Sequence, residues 1–251
     1  MHLRKILFGV TVACVAALTL GTSAQSGDKK NPAATPSPRM GKDAKADPGW
    51  MKRHDGFVEI AKAGNVDVLF LGDSITDGWR GKGGKGAWDK AFGSMKPANF
   101  GIGGDRTEHV LWRIQNGELD GIKPKVAVLM IGTNNSGANS AEQIAEGITT
   151  IVKTIHAKTP ETKVLLLAVF PRGNNKTFEF NDQNNKIIEI NKMIAKLDDG
   201  SKVKYLDIGS KFLKDAKLSK DIMPDALHLS EAGYVIWADA ITPTLTAMLK
   251  K

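Results

Sequence analysis

The chain has 251 residues, 41% of them hydrophobic and 25% charged, with a formal net charge of +8. That composition supplies a substantial apolar core and excludes a disordered chain, while a single cysteine, Cys14, excludes a disulfide framework. The excess charge is mostly dispersed lysine; its densest patch, residues 80–85 (R-G-K-G-G-K), matches no nucleic-acid module and reads as a flexible rim loop.

Residues 1–24 carry Arg4 and Lys5, then an apolar stretch over 6–20, then small residues up to Ala24. The apolar run is shorter than the ~20 residues a spanning helix needs, so it reads as a secretory signal peptide cleaved before Gln25, with an uncleaved membrane anchor as the alternative. Cys14 leaves with it, and loss of Arg4 and Lys5 brings the charge to +6. A secreted or periplasmic protein with no spanning segment after cleavage is expected. Residues 25–48 are rich in Lys, Pro, Ala, Ser and Asp and hold almost nothing large and apolar, which predicts a flexible tether. Residues 49–251 are of single-domain size.

Within that domain, short unalternating apolar runs at 66–71, 98–102, 126–131, 164–169 and 203–208 predict parallel strands covered on both faces. Helix-length segments lie between them. Residues 106–116 follow Asp105, with Glu108 completing a capping-box-like start, and end at Gly117. Residues 141–158 place Ile144, Ile148, Ile151, Val152 and Ile155 on one face. Residues 182–197 repeat that pattern, and residues 230–249 form a last helix. Five strands alternating with helices predict a three-layer, doubly wound α/β fold in strand order 2-1-3-4-5, with a crevice above the carboxyl ends of strands 1 and 3.

The chemistry-bearing residues fall at those strand ends. Ser74 follows the first run and reads as a nucleophile, which needs a base to take its proton. His228 is the best placed histidine: it follows Asp225 by three positions, so a tight turn would set the carboxylate on Nδ1 and leave Nε2 for Ser74. The backbone N–H groups of Ser74 and Gly104 and the side-chain amide of Asn134, after strands 1, 2 and 3, are candidate donors to an oxyanion. Each segment alone would read as a turn; four at adjacent strand ends read as an acyl-transfer site.

In order and spacing, G-D-S-I-T (72–76), N-F-G-I-G-G-D (99–105), G-T-N-N (132–135) and D-A-L-H (225–228) resemble the four blocks of the SGNH/GDSL hydrolases. Residues 99–126 resemble in particular the catalytic subunits of type Ib platelet-activating-factor acetylhydrolase. The resemblance implies a flavodoxin-like fold, a triad of Ser74, Asp225 and His228, and an oxyanion hole of Ser74, Gly104 and Asn134. It implies a carboxylic ester hydrolase acting on short acyl, above all acetyl, esters of carbohydrates or small lipids, with no cofactor and no metal. Arg106 stands where such proteins carry a small hydroxyl residue, and the segment after Ser74 is unusually rich in glycine and lysine. A homodimer stays open.

Other readings fit less well. Gly81-x-Gly83-x-x-Gly86 starts too far past the strand to be a dinucleotide turn, Gly101-x-Gly103 lacks the third glycine, and no Gly-x-Ser-x-Gly elbow is present. The alternatives are a catalytically weak carbohydrate- or peptidoglycan-binding module of the same fold, or a lysophospholipase.

Overall fold

The computed structural model describes residues 30–250. The expected signal peptide, Cys14 and the first residues of the expected tether lie outside the described residues. Five parallel strands, β1 (Val68–Gly72), β2 (Pro97–Gly101), β3 (Val126–Met130), β4 (Lys163–Leu167) and β5 (Val203–Leu206), form one sheet in the order β2-β1-β3-β4-β5. This is the doubly wound α/β architecture and strand order that the apolar runs predict. Register puts Gly72 beside both Gly101 and Met130, so the loops leaving β2, β1 and β3 emerge side by side.

Burial on both faces explains why the strands do not alternate. Leu69, Leu71, Ala127, Leu129, Val164 and Leu166 belong to one apolar core, with residues of α1 (Pro48–Ala63), α4 (Thr107–Arg113), α5 (Ala141–Lys158) and α6 (Asp182–Ile194). Val68, Phe70, Val126, Val128, Leu165 and Leu167 belong to a second, with α3 (Lys82–Phe92) and α7 (Glu231–Lys250). At about 1.5–3 kcal/mol per buried large apolar side chain, a slip by one residue would exchange the two sets and be strongly opposed. The helix α5 starts in a capping box: Gln143 N–H donates to Ser140 Oγ at 3.2 Å, and Ser140 N–H to Gln143 Oε1 at 3.1 Å.

Three expectations are corrected. Residues 82–85, expected within a flexible rim loop at 80–85, instead open the helix α3. Their glycines disfavour a helix, but packing overrides this: Ala87 and Phe92 are buried, Trp88 packs on Phe70, and Gly84 sits where a Cβ would meet Trp79 Cα at 2.6 Å. Residues 31–47, expected as tether, lie against the domain. Polar bonds hold them: Asn31 Nδ2 donates to Gln143 O at 2.9 Å, Thr107 Oγ1 to Ala33 O at 2.7 Å and Ser37 N–H to Glu108 O at 3.2 Å.

The start of α4 is the third. Asp105 does not cap it, because that carboxylate is wholly buried among Arg39, Trp50 and Arg113. The His109 ring caps instead, Nδ1 accepting from Arg106 N–H at 3.1 Å. Burial and the neighbouring Arg39, Arg106 and Arg113 push His109 down to about 3, which keeps the ring neutral and able to accept. A small antiparallel hairpin, β6 (Leu213–Lys214) and β7 (Lys217–Leu218), adds to the five strands.

Candidate active site

The strand β1 ends at Gly72, and a single helical turn, α2 (Ser74–Asp77), begins almost at once. A Cβ at position 72 would lie 2.1 Å from Thr76 Oγ1 and 2.4 Å from Met130 O, so only glycine lets the chain reverse this tightly. Asp73 caps the turn by accepting from Ile75 N–H at 3.0 Å, and Tyr234 of α7 donates its hydroxyl to Ile75 O at 2.7 Å. Ser74 is thereby fixed, half-buried, at the carboxyl edge of the sheet.

Across from it, Ser74 Oγ lies 2.9 Å from His228 Nε2, and His228 Nδ1 lies 2.7 Å from Asp225 Oδ2. The D-A-L-H turn makes this chain possible. Ala226 takes a left-handed φ of 60°, and Asp225 Oδ1 accepts from the backbone N–H groups of Leu227 at 3.1 Å and His228 at 2.7 Å. Partial burial would raise the Asp225 carboxyl, but the His228 ring and those N–H groups together hold it below the ordinary carboxylate range. It is therefore ionised at neutral pH and can orient the imidazole. Side-chain exposures of 44% for His228 and 49% for Asp225 leave this arm of the site open to water.

The third arm comes from the loops after β2 and β3. Gly104, exposed and with φ 78°, sits in a loop gripped on both sides: Gly103 N–H donates to Asp77 Oδ2 at 3.2 Å, and Gly103 O accepts from Arg39 Nη2 at 2.6 Å. Asn134 Nδ2 donates one hydrogen to Asp105 O at 2.8 Å, which aims the amide along that loop and leaves its second hydrogen free for another acceptor. Asn135 ties the same turn to α4 by accepting from Thr107 N–H at 2.9 Å.

Beneath the loop runs a buried chain of charge. Arg113, wholly buried, donates to Asp105 Oδ2 at 2.9 Å and to Glu118, and Glu118 Oε1 lies 3.0 Å from His54 Nδ1. Asp73, also wholly buried, has one oxygen with no hydrogen-bond partner among the described residues. Burial pushes its carboxyl up to about 7, with Asp105 adding to the rise while Ile75 N–H and His228 oppose it.

The structure thus brings Ser74, His228 and Asp225 into one hydrogen-bonded series and sets Gly104 and Asn134 on the flanking loops. His54 and His109 lie in the supporting layer. Sequence reasoning passed over Arg39, Asp77 and Arg113; only Asp77, the residue directly after the block at 72–76, carried a local signal. Among the described residues, no group of three or more His, Cys, Asp and Glu is placed to hold a metal ion, and no helix is long and apolar enough to cross a membrane.

Comparison with known proteins gives one consistent picture. The profile of the GDSL-like Lipase/Acylhydrolase family matches residues 70–236. The platelet-activating factor acetylhydrolase IB subunit alpha2 of Rattus norvegicus is 40% identical over 207 residues, covering 81% of this chain and 86% of its own. The alpha1 subunit of Bos taurus is 36% identical over 225 residues, covering 89% and 93%. A crystal structure of a GDSL-like lipase from Bacteroides thetaiotaomicron superposes with a TM-score of 0.62 at 21% identity, covering 79% of this chain and 96% of that one.

Proposed function

The chain belongs to the GDSL-like lipase/acylhydrolase family, a family of carboxylic ester hydrolases, and on that premise we propose that it is an exported serine esterase removing short acyl groups, acetyl above all. The observation that carries the proposal is the series Ser74 Oγ, His228 Nε2, His228 Nδ1 and Asp225 Oδ2, with links of 2.9 and 2.7 Å. Ser74 Oγ attacks the ester carbonyl carbon while its proton passes to His228 Nε2. Asp225 holds the ring so that Nε2 faces the serine, and its charge stabilises the imidazolium.

The carbonyl oxygen becomes an oxyanion within reach of Ser74 N–H, Gly104 N–H and Asn134 Nδ2, donors fixed before the reaction starts. Collapse breaks the bond to the leaving alkoxide, which takes the proton from His228. Water then attacks the acyl-enzyme while His228 accepts its proton, and collapse breaks the bond to Ser74 Oγ, which takes that proton back from His228 as the carboxylic acid leaves. The open His228–Asp225 arm gives that water a direct approach.

Support for acetyl as the acyl group comes from the two relatives named as acetylhydrolase subunits. Arg4, Lys5 and the apolar stretch over 6–20 support export to a secreted or periplasmic location, where acetylated carbohydrates and small lipid esters are both encountered. A series of p-nitrophenyl esters of rising chain length tests the reading. Turnover is expected to be highest with acetate and absent in Ser74→Ala, and a fluorophosphonate should label Ser74 in the wild type. A Ser74→Ala variant that keeps its turnover defeats the mechanism; ligand binding without turnover in the wild type selects the binding-module reading, and a preference for long-chain lysophospholipids selects a lysophospholipase.

A further inference from the structure

The loop that carries Gly104 is gripped from outside the sheet by a side chain of the N-terminal segment. Arg39 Nη2 donates both to Gly103 O at 2.6 Å and to Asp105 Oδ1 at 2.9 Å. The Gly103 carbonyl and the Gly104 N–H belong to one planar peptide unit, so a donor that fixes the carbonyl also fixes the direction of the N–H. Two consecutive glycines could otherwise rotate that plane at little steric cost. The guanidinium also withdraws charge through the amide, which strengthens the N–H as a donor, and it brings a positive charge to the loop where negative charge would develop.

We propose that Arg39 is a positioning residue for the oxyanion loop, and that residues 31–47 are a strap that completes the active site; this rests on the acyl-enzyme reading above. The strap is built to deliver that side chain. Its start is anchored on α5 by Asn31, which donates to Gln143 O and Glu146 Oε2, both at 2.9 Å, and Ala33 is wholly buried. Close approach is possible because Gly147 of α5 has no Cβ, which would stand 2.4 Å from Ala33 O. After Arg39 the chain folds back, Asp47 N–H donating to Arg39 O at 2.8 Å, and enters α1. Asp105, the second acceptor for Arg39, is itself held by Trp50 Nε1 at 2.7 Å and by Arg113, and its carbonyl holds Asn134. One guanidinium therefore steadies the peptide of one proposed oxyanion donor and the anchor of another.

The test is steady-state hydrolysis of p-nitrophenyl acetate by the full chain, comparing wild type, Arg39→Ala, Arg39→Lys and Ser74→Ala. Misplacement of a catalytic donor by about 1 Å costs on the order of 10²-fold in rate. Arg39→Ala is expected to lose kcat on that scale with KM little changed, and added methylguanidinium is expected to restore part of it. Because a single nitrogen makes both bonds, the lysine ammonium can make them too, and Arg39→Lys is expected to recover most of the rate. Wild-type kcat in Arg39→Ala, a loss carried by KM, or a loss that neither lysine nor methylguanidinium restores would overturn the inference. Should Arg39→Ala fail to fold, Arg39→Met, which keeps the apolar stem, carries the same comparison. Turnover surviving in Ser74→Ala instead refutes the acyl-enzyme reading, while an inactive Ser74→Ala beside a fully active Arg39→Ala refutes the role of Arg39 alone.

Discussion

Asp73 makes the sharpest test of the electrostatics under the site. Its side chain is wholly buried, one oxygen caps α2 by accepting from Ile75 N–H, and the other has no partner among the described residues. Burial lifts its carboxyl from 3.8 to about 7. In the unfolded chain it ionises near 4, whereas in the fold it keeps its proton to about 7, so between those values the native state binds more protons and stability falls as pH rises. The stabilisation by this group is fully present below about pH 4 and lost as pH passes through about 7. At 1.36 kcal/mol per unit, a rise of about three units corresponds to about 4 kcal/mol across that window.

Asp73→Asn removes the titration while keeping an oxygen for Ile75 N–H, and asparagine is as good an N-cap as aspartate. The expected result is that the variant matches wild type at pH 4 and is the more stable by a few kcal/mol at pH 8. Urea unfolding followed by circular dichroism at several pH values measures this. The difference between variant and wild type is the quantity to read, because Asp77 and Asp225 have lowered carboxyls whose stabilisation is lost in acid in both proteins. Parallel stability curves for the two proteins would refute the reasoning.

Two further perturbations address the supports of the oxyanion side. Asn134→Ala is expected to lower kcat by about 10²–10³ with little change in KM, since an oxyanion donor acts only in the transition state. Loss of its bond to Asp105 O should cost only about 1 kcal/mol, a fall of about 2–4 °C in melting temperature that a thermal scan separates from the kinetic effect. Arg113→Met is expected to destabilise by about 3–5 kcal/mol in urea unfolding, because it takes the shared buried cation from Asp105 and Glu118 and leaves them only Arg39 and Trp50 on one side and His54 on the other; a change below 1 kcal/mol would show that the arginine does not hold them.

The strand order was legible because both faces of the sheet are buried, which leaves runs such as Val68 to Leu71 without polar interruption. The candidate site residues were legible because each sits within a few positions of a strand end or a tight turn. Contacts between distant segments were not legible. Glycines at 83, 84 and 86 argue for a loop, and the packing of Trp88 and Phe92 on Phe70 and Trp79, from elsewhere in the chain, favours the helix. The strap has the composition of a linker because its attachments are single polar bonds, and no pattern in residues 31–47 announces that Arg39 meets a carboxylate 66 positions away. Asp105 looked like a helix cap in the sequence, and burial beside Arg113 turns it instead into a support for the neighbouring loops.

That hidden layer divides the site into two halves of different character. On the proposed mechanism, the donors on the Gly104 and Asn134 loops must already point at a charge that exists only after attack, and any reorganisation at that moment would add to the barrier. The structure backs those loops with bonds from Arg39, Asp77 and Asp105, and Asp105 in turn with Arg113 and Trp50. On the same proposal His228, oriented by Asp225, accepts a proton twice in each cycle, the second time from a water that must reach the acyl-enzyme. Both residues sit on an exposed turn where, among the described residues, their mutual bonds, two backbone N–H groups and Ser74 orient them. On that proposal rigidity is placed where charge would develop and water access where protons would move, so loosening the Arg39 strap should slow the chemical step while leaving the His228–Asp225 pair intact.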